Sequence, residues 1–313
     1  MKRVLVTGIS GFIGRHVVAP LLARGYRVHG AATRALDLHP EITLHATDLL
    51  APGAAEMIIA EIEPTHLLHL AWVSNPGRAL MSLDNLRWAA ASLELYRAFA
   101  QHGGRRAVLA GSCAEYDWTC THLHETDTPA RPRTIYGVAK NAVRELVAAV
   151  GPQAGVSTAW ARLFFLYGPH EPPGRLVSDI AAGLAAGRVT DTTAGRQERD
   201  FLHVADAAEA LVRLLDGEVT GTVNIASGEC VPVRRVADIL AELSGRPDLV
   251  AIGARPTPPG EPPRLAADVT RLRQEVGFSP RHSLTEGLRA TLNWWRGQAR
   301  DARHSETRSQ PLP

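Results

Sequence analysis

The sequence lacks the features that mark a secreted or membrane protein. It has three cysteines, Cys113, Cys120 and Cys230, which are too few and too oddly numbered for a disulfide framework. No apolar run approaches the roughly 20 residues of a membrane span. The first residues, MKRVLVTG, lead directly into a strand pattern without the longer apolar core of a signal peptide. We therefore expect a protein of the reducing cytoplasm with no membrane partner.

An excess of charge of one sign is also missing. Lys and Arg number 34 against 32 Asp and Glu, giving a net charge of +2, and the basic residues are scattered. This pattern predicts no nucleic-acid or membrane-binding surface. The 13 histidines show no ligand spacing with Cys or carboxylates, so no metal site is expected. The length of 313 residues suits one large domain or two closely joined ones.

Short β-rich runs alternate with helical patterns over the first 165 residues. The clearest helix has apolar residues at 139, 142, 143, 146, 147 and 150, which lie along one face. The alternation predicts an α/β fold with a Rossmann-type doubly wound parallel sheet. We expect a dinucleotide-binding domain over 1–168, with a later strand near 221–228 returning to it. A smaller substrate-binding region over 169–300 and a disordered tail over 301–313 follow.

A glycine-rich turn follows the first predicted strand. VLVTGISGFIG places Gly8, Gly11 and Gly14 in a G-x-x-G-x-x-G spacing between a strand and a helix. Glycines there allow a tight turn and close approach of the backbone to a pyrophosphate, which the helix N-terminus then faces. The alternative is an ordinary glycine-rich turn without a ligand. Together with the motifs below, the spacing predicts a dinucleotide cofactor.

The end of the second strand indicates which dinucleotide binds. NAD sites usually carry an acidic residue there, whereas this chain has Ala32, followed by Thr33 and Arg34. A guanidinium can bind a 2′-phosphate in bidentate fashion, which a carboxylate would repel. NADP(H) is therefore favoured, and NAD(H) remains possible. Arg34 is predicted to bind the 2′-phosphate, and Arg15 is a possible second contact. The alternative is that Arg34 is a solvated surface residue.

Three residues carry the predicted chemistry. Tyr136 and Lys140 are one helical turn apart and share a face. An ammonium beside a phenol is expected to lower the phenol's pKa from about 10 towards neutrality, which makes Tyr136 a usable acid or base. The hydroxyl of Ser112 could hydrogen-bond the same substrate oxygen. Together they would move a proton at a carbinol or carbonyl while hydride passes to or from a nicotinamide.

These motifs resemble the extended short-chain dehydrogenase/reductase family, in its nucleotide-sugar epimerase, dehydratase and reductase branch. The resemblance covers residues 1–290 and includes TGISGFIG, HLAW, YGVAK, RLFFLYGP and RDFLHVADAAEA. It implies catalysis by Ser112, Tyr136 and Lys140 and a homodimer formed by the helices near 83–100 and 136–150. The implied cofactor contacts are Gly8, Gly11, Phe12, Ile13, Gly14, Arg34, Asp48, Leu49, Leu70, Ala71, Tyr136 and Lys140, with Asp48 on the adenine side.

The residues after Ser112 narrow the reaction that the resemblance implies. Dehydratases of the branch carry an Asp-Glu pair there, whereas this chain has Cys113 and Ala114, and Glu115 stands one position late. Water elimination is therefore not expected. The chain also lacks the acidic residue at the end of the second strand that accompanies tightly held NAD in the epimerases. A dissociable NADPH suits net reduction instead. We therefore predict a ketoreductase that acts on C4 of a nucleotide-linked 6-deoxyhexulose. The alternatives are an NAD-dependent nucleotide-sugar epimerase and a non-catalytic dinucleotide sensor.

The resemblance also suggests residues at the substrate end. Arg199 matches an arginine that contacts the substrate diphosphate in relatives, and Arg175 and Arg264 are further candidates. Cys113 lies one residue before the acid/base cysteine of epimerase-reductases resembling GDP-fucose synthase, and His170 matches their partner histidine. The alternatives are a small buried cysteine and a loop histidine at the cleft mouth. Trp294 and Trp295 are interpreted as packing or partner-surface residues.

Overall fold

A computed structural model describes residues 2–34, 38–73 and 79–308, with side chains as far as residue 301. The strands in this part of the chain are β1 (Arg3–Thr7), β2 (Arg27–Ala32), β3 (Thr43–Ala46), β4 (His66–His69), β5 (Arg106–Ser112), β6 (His122–Leu123), β7 (Ser157–Leu163), β8 (Phe165–Tyr167), β9 (Thr190–Thr192), β10 (Glu198–His203), β11 (Gly221–Ile225), β12 (Cys230–Pro232), β13 (Val250–Ile252) and β14 (Arg264–Ala267). The helices are α1 (Phe12–Ala23), α2 (Ala54–Ile62), α3 (Asp84–Gln101), α4 (Ile135–Gln153), α5 (Leu176–Ala186), α6 (Val204–Asp216), α7 (Val233–Ser244), α8 (Thr270–Gln274) and α9 (Leu284–Arg308).

Seven parallel strands form the main sheet in the order β11-β7-β5-β4-β1-β2-β3. This confirms the predicted doubly wound parallel sheet. The strand order reverses direction between β1 and β4, and ligands of such sheets bind at the carboxyl ends of the strands at that switch point. Strand β11 comes late in the chain and pairs with β7, so the chain returns to the main sheet after it has formed other elements.

Helices cover both faces of this sheet because its strands are apolar on both sides. Val4 and Val6 of β1 pack in one apolar cluster with Val17 of α1. Leu5, whose side chain points to the opposite face, packs in a second cluster with Phe99 of α3. The two clusters hold β1 rigidly, which fixes the start of the loop that follows it.

A second, smaller region holds the remaining strands. β12, β10, β14 and β6 form one sheet, β8 pairs with β10, and β13 pairs with β9. Apolar residues of α5, α7 and α9 form its own core, including Ile180, Leu240, Leu288 and Leu292. Because β8 follows β7 after a single residue, Phe164, the two regions meet at the carboxyl edge of the main sheet.

The last helix extends into the tail over 301–313, for which the sequence predicts disorder. Helix α9 continues to Arg308, and no Gly or Pro stands between Gly297 and Pro311 to end it. The disorder of the tail stays a prediction. Residues 309–313 lie outside the described residues. In the part of the chain described, no helix has both the length and the apolarity needed to cross a membrane.

Candidate active site

The glycine turn forms a close-packed cradle at the carboxyl end of β1. Gly8 has a φ of 69°, a conformation that side chains rarely adopt. A Cβ atom on Gly8 would lie 2.8 Å from the backbone nitrogen of Ala71, and one on Gly14 would overlap the carbonyl oxygen of Gly8. These contacts leave room only for glycine and let another group approach the backbone closely.

This cradle suits a phosphate group. Helix α1 begins at Phe12, directly after Gly11, and has no acidic residue in its first turn, so its N-terminus favours an anion. The glycine cradle opens into a cleft of about 860 Å³, which fits an extended dinucleotide. The cleft is lined by these predicted cofactor residues: Gly8, Gly11, Phe12, Ile13, Gly14, Leu49, Leu70 and Ala71.

Four of the predicted cofactor residues lie outside the lining of the cleft: Tyr136 and Lys140 line a neighbouring cavity, and Arg34 and Asp48 line neither. Arg34 is exposed just beyond β2, and Asp48 uses its Oδ1 to accept a hydrogen bond of 3.0 Å from the backbone of Leu50. The wall at the end of β2 consists of Ala31, Ala32 and Thr33. Among the described residues, no carboxylate stands at this end of the strand.

A second cavity of about 420 Å³ adjoins the cleft. It contains the predicted catalytic residues Ser112, Tyr136 and Lys140, together with Cys113. The two cavities share these lining residues: Phe12, Ile13, Leu70, Trp72 and Arg175. The predicted catalytic residues are thus brought together next to the glycine turn.

The local fold fixes the position of Ser112. This residue ends β5 and caps the short helical turn that follows, since its Oγ accepts a hydrogen bond of 3.2 Å from Ala114 N. Its own backbone nitrogen donates to Oε1 of Glu115 at 2.7 Å, which completes a capping box. Ser112 also lines the same cavity as Tyr136 and is close enough to lower the pKa of that phenol. The hydroxyl is therefore held beside the group with which it is predicted to act.

Glu115 is a structural residue in this arrangement. It is fully buried and forms an ion pair with Arg162, whose Nε donates to Oε2 at 2.8 Å. The indole nitrogen of Trp160 lies 3.0 Å from each of its two carboxylate oxygens. Because its oxygens already accept from Ser112, Trp160 and Arg162, Glu115 is held in place and has no free oxygen facing the cavity.

The pKa of Tyr136 differs from the expectation based on spacing. Burial raises the pKa of Tyr136 to about 12, and nearby Ser112 and the charge of Arg175 only partly oppose this. The amine of Lys140 lies 5.9 Å from the centre of the Tyr136 ring and donates to the carbonyl oxygen of Ala110 at 2.6 Å. The prediction of a near-neutral phenol is therefore wrong, because removal from water outweighs the influences of Ser112 and Arg175 that lower this pKa.

Lys140 is held by residues that sequence reasoning did not select. Its amine lies 3.7 Å above the ring of Trp72, in cation–π contact, and burial lowers the pKa of Lys140 to about 7. The indole nitrogen of Trp72 donates to Asn85 at 2.8 Å, and the amide of buried Asn85 donates in turn to the carbonyl oxygens of Ala79 and Ser82. The motif HLAW, which contains Trp72, was the only signal for this support.

Cys113 and His170 lie in different cavities. Cys113 lines the cavity with Tyr136, where burial and the nearby Glu115 raise the pKa of its thiol to about 12. His170 lines the cofactor cleft. The two cavities adjoin, so proton exchange by Cys113 and His170 stays a prediction, and burial keeps the thiol in its protonated form.

The three predicted substrate arginines have different surroundings. Arg175 lines both cavities. Arg199 is buried and pairs with Glu261, close enough to Cys113 for its charge to lower that thiol's pKa. Arg264 is half-exposed and lies 3.3 Å from a carboxylate oxygen of Glu198. Arg175 is thus beside the reacting groups, Arg199 lies behind Cys113, and Arg264 is at the surface.

One group of potential metal ligands lies outside both cavities. His124, Glu125 and Asp268 have ligand atoms within 4.8 Å of one another. The sequence did not reveal them because pairing of β6 with β14 brings Asp268 close to the other two. Asp268 already accepts a hydrogen bond from the backbone of Thr270, and Glu125 accepts one from that of Asn224.

Tryptophans are the main functional candidates that sequence reasoning missed. Trp118 lines the catalytic cavity, and its indole nitrogen donates to the carbonyl oxygen of Cys113 at 2.8 Å. Trp294 and Trp295, interpreted from the sequence as packing residues, line the cofactor cleft with Trp88. No motif marks them, because α9 reaches the cleft only through the packing of the second region.

Comparison with known proteins agrees with this arrangement. The model of the "NAD dependent epimerase/dehydratase family" matches residues 4–226. A curated relative, UDP-glucose 4-epimerase of Azospirillum brasilense, is 28% identical over 94% of this chain and 92% of its own. The solved structure of MoeE5 with UDP-glucuronic acid and NAD is 30% identical, covers 95% of this chain and 99% of its own, and has a TM-score of 0.83. That of RMD from Pseudomonas aeruginosa with NADPH is 26% identical, covers 95% and 100%, and has a TM-score of 0.79.

Proposed function

The chain belongs to the NAD dependent epimerase/dehydratase family, and from that premise we propose that it is an NADPH-dependent ketoreductase. Its substrate would be a nucleotide-linked 6-deoxyhexulose, reduced at a keto group at C4. The observation that carries the proposal is the single cavity in which Ser112, Tyr136 and Lys140 meet beside the glycine turn.

The dinucleotide would bind in the cleft formed by the glycine cradle. Solved relatives hold NAD in one case and NADPH in another, so both are compatible with the family. We favour NADPH because the described residues at the end of β2 that line the cleft are Ala31, Ala32 and Thr33, none of which is acidic. The exposed guanidinium of Arg34 stands just beyond this wall and could bind a 2′-phosphate.

When bound, the dihydronicotinamide supplies the hydride that reduces the carbonyl carbon. Tyr136 donates its phenolic proton to the carbonyl oxygen, so that ketone, hydride and proton together give the alcohol. Ser112 donates a hydrogen bond to the same oxygen and stabilises its developing negative charge. Lys140 would bind the nicotinamide ribose and, in its charged form, favour loss of the proton from Tyr136.

The buried phenol of Tyr136 is suited to give a proton to a carbonyl oxygen, because burial favours its protonated form. Among the described residues, the cavity lining includes no carboxylate that could serve in elimination. Glu115 is engaged with Ser112, Trp160 and Arg162.

The substrate end suits an anionic sugar nucleotide. Arg175 faces the reacting groups, and Arg199 lies behind Cys113 and would pair with a diphosphate if Glu261 moved aside. Guanidinium groups suit this task because their fork matches phosphate oxygens. We assign the sugar nucleotide to the region 169–300 and the dinucleotide to the region 1–168.

A redox-neutral nucleotide-sugar epimerase is the second candidate. The observation in its favour is that relatives of similar identity include an enzyme named UDP-glucose 4-epimerase and a structure with UDP-glucuronic acid and NAD. Such an enzyme would keep its NAD and consume none. It would need the same Ser112, Tyr136 and Lys140.

We also propose that the protein forms a homodimer through α3 and α4. These helices pack side by side and expose apolar side chains, with Leu83 and Leu86 at the start of α3 and Val138, Leu146 and Val150 along α4. A second copy of the chain would cover this apolar face in a four-helix arrangement.

A panel of nucleotide-linked 4-keto-6-deoxyhexoses tests the proposed reaction. Purified protein is mixed with each compound and with NADPH or NADH, and the near-ultraviolet absorbance of the cofactor is followed. We expect stoichiometric loss of NADPH with one member of the panel. If no member consumes either cofactor while protein carrying NAD interconverts nucleotide sugars, the epimerase replaces the reductase.

A further inference from the structure

The C-terminal helix forms part of the wall of the cofactor cleft. Helix α9 packs on α5 and α7 of the second region, yet its residues Trp294, Trp295 and Gln298 line the same cleft as Gly11 and Arg15 of the glycine turn. The cleft is therefore walled on one side by the first region and on another by a helix of the second.

A series of aromatic rings connects these two walls. The ring centres of Phe12 and His16 in α1 are 6.4 Å apart, and those of His16 and His170 are 6.0 Å apart. His170 then lies 4.7 Å from Trp294, which lies 4.9 Å from Trp295. All four separations fall within the range of favourable aromatic contacts. The rings thus form a continuous bridge beside the glycine turn.

The backbone at His170 is unusual and holds this ring in the bridge. Its φ is 67°, in the left-handed region that residues other than glycine rarely adopt. The preceding carbonyl, that of Pro169, lies 3.1 Å from Nε2 of His16. Such conformations persist where the surroundings enforce them, and they concentrate at ligand sites. The strained backbone places the imidazole between His16 and Trp294.

We propose that Trp294, held in place by His170, covers the dinucleotide in its cleft and slows its release. This inference rests on the proposed cofactor role of the cleft and adds two residues to it. Trp294 would contact the bound dinucleotide, and His170 would act as a positioning residue that keeps the indole over the cleft. Retention of the cofactor would then depend on α9 as well as on the glycine turn.

The test is equilibrium and stopped-flow binding of NADPH, without any sugar substrate. The fluorescence of the dihydronicotinamide and its energy transfer from tryptophan report binding. We expect Trp294→Ala to raise Kd about tenfold, mostly through faster dissociation, because an aromatic contact is lost. The matched control is Asn293→Ala, since Asn293 is the exposed neighbour on the same helix, and it should bind as the wild type does.

Two further variants distinguish loss of the Trp294 contact with the dinucleotide from a general loss of structure. Trp294→Phe keeps a ring and should recover most of the affinity. His170→Asn keeps a side chain that tolerates positive φ but removes the ring, and it should raise the dissociation rate about threefold and reduce energy transfer from Trp294. An unchanged Kd and an unchanged dissociation rate in Trp294→Ala would overturn this inference and leave the proposed function standing. Failure of the wild type to bind any dinucleotide would overturn the proposed function with it.

Discussion

Replacing Glu115 by alanine should severely destabilise the protein, because this carboxylate joins three buried groups. Glu115 and Arg162 have side chains that are 0% and 2% exposed. Removing one partner of a buried ion pair leaves an uncompensated charge and typically costs about 3–5 kcal/mol. The variant also frees the indole nitrogen of Trp160 and the backbone nitrogen of Ser112. We therefore expect the free energy of unfolding to fall by about 3–5 kcal/mol.

The assay is urea unfolding followed by circular dichroism, with extrapolation to water. Glu56→Ala is the control, because Glu56 pairs with Arg97 and His102 at the exposed surface and its loss should leave the free energy of unfolding nearly unchanged. The milder Glu115→Gln tests the role of the residue in catalysis. It should lower kcat by displacing Ser112 and leave the shape of the pH profile unchanged. A loss below about 1 kcal/mol in Glu115→Ala, or a pH profile that loses one limb in Glu115→Gln, would refute the structural role.

Three further predictions concern charge, assembly and cofactor choice. Burial lowers the pKa of Lys140 to about 7 in the folded protein from about 10.5 in the unfolded chain, so the unfolded chain binds more protons between these values. The wild type should therefore gain stability relative to Lys140→Met as pH rises from about 7 to about 10, and a flat difference in unfolding free energies would contradict this. Leu146→Glu should turn a dimer into a monomer in light scattering with NADPH affinity unchanged, and a monomeric wild type would disprove the interface. Arg34→Ala should raise the KM for NADPH about tenfold and leave the KM for NADH unchanged. Equal effects on both cofactors would show that Arg34 does not bind the 2′-phosphate.

The sequence predicted the sheet because its signals are local. Alternating strand and helix patterns and a glycine turn after the first strand are each contained in a few residues, and parallel sheets with helical crossovers follow from them. The end of the chain carries two opposed signals. Its polar composition favours disorder, while the absence of a helix-breaking residue before Pro311 allows α9 to continue to Arg308.

The site was predictable only where a motif spans it. Ser112, Tyr136 and Lys140 were found through their spacing, and they share one cavity. Trp72 and Trp294 were not, since their positions depend on how separate elements pack. The pKa of Tyr136 was misjudged for the same reason. Spacing reveals that Lys140 is near in sequence but not that burial raises the pKa of the phenol.

The transfer of deuterium from labelled NADPH distinguishes net reduction from a redox-neutral reaction. The protein is incubated with NADPH carrying deuterium at the reactive position of the nicotinamide and with the keto sugar nucleotide identified in the panel. We expect mass spectrometry to find one deuterium in the sugar for each NADPH consumed, and Tyr136→Phe to bind NADPH but transfer almost none. A sugar product without deuterium, formed while NADPH is not consumed, would exclude the ketoreductase and identify a redox-neutral enzyme.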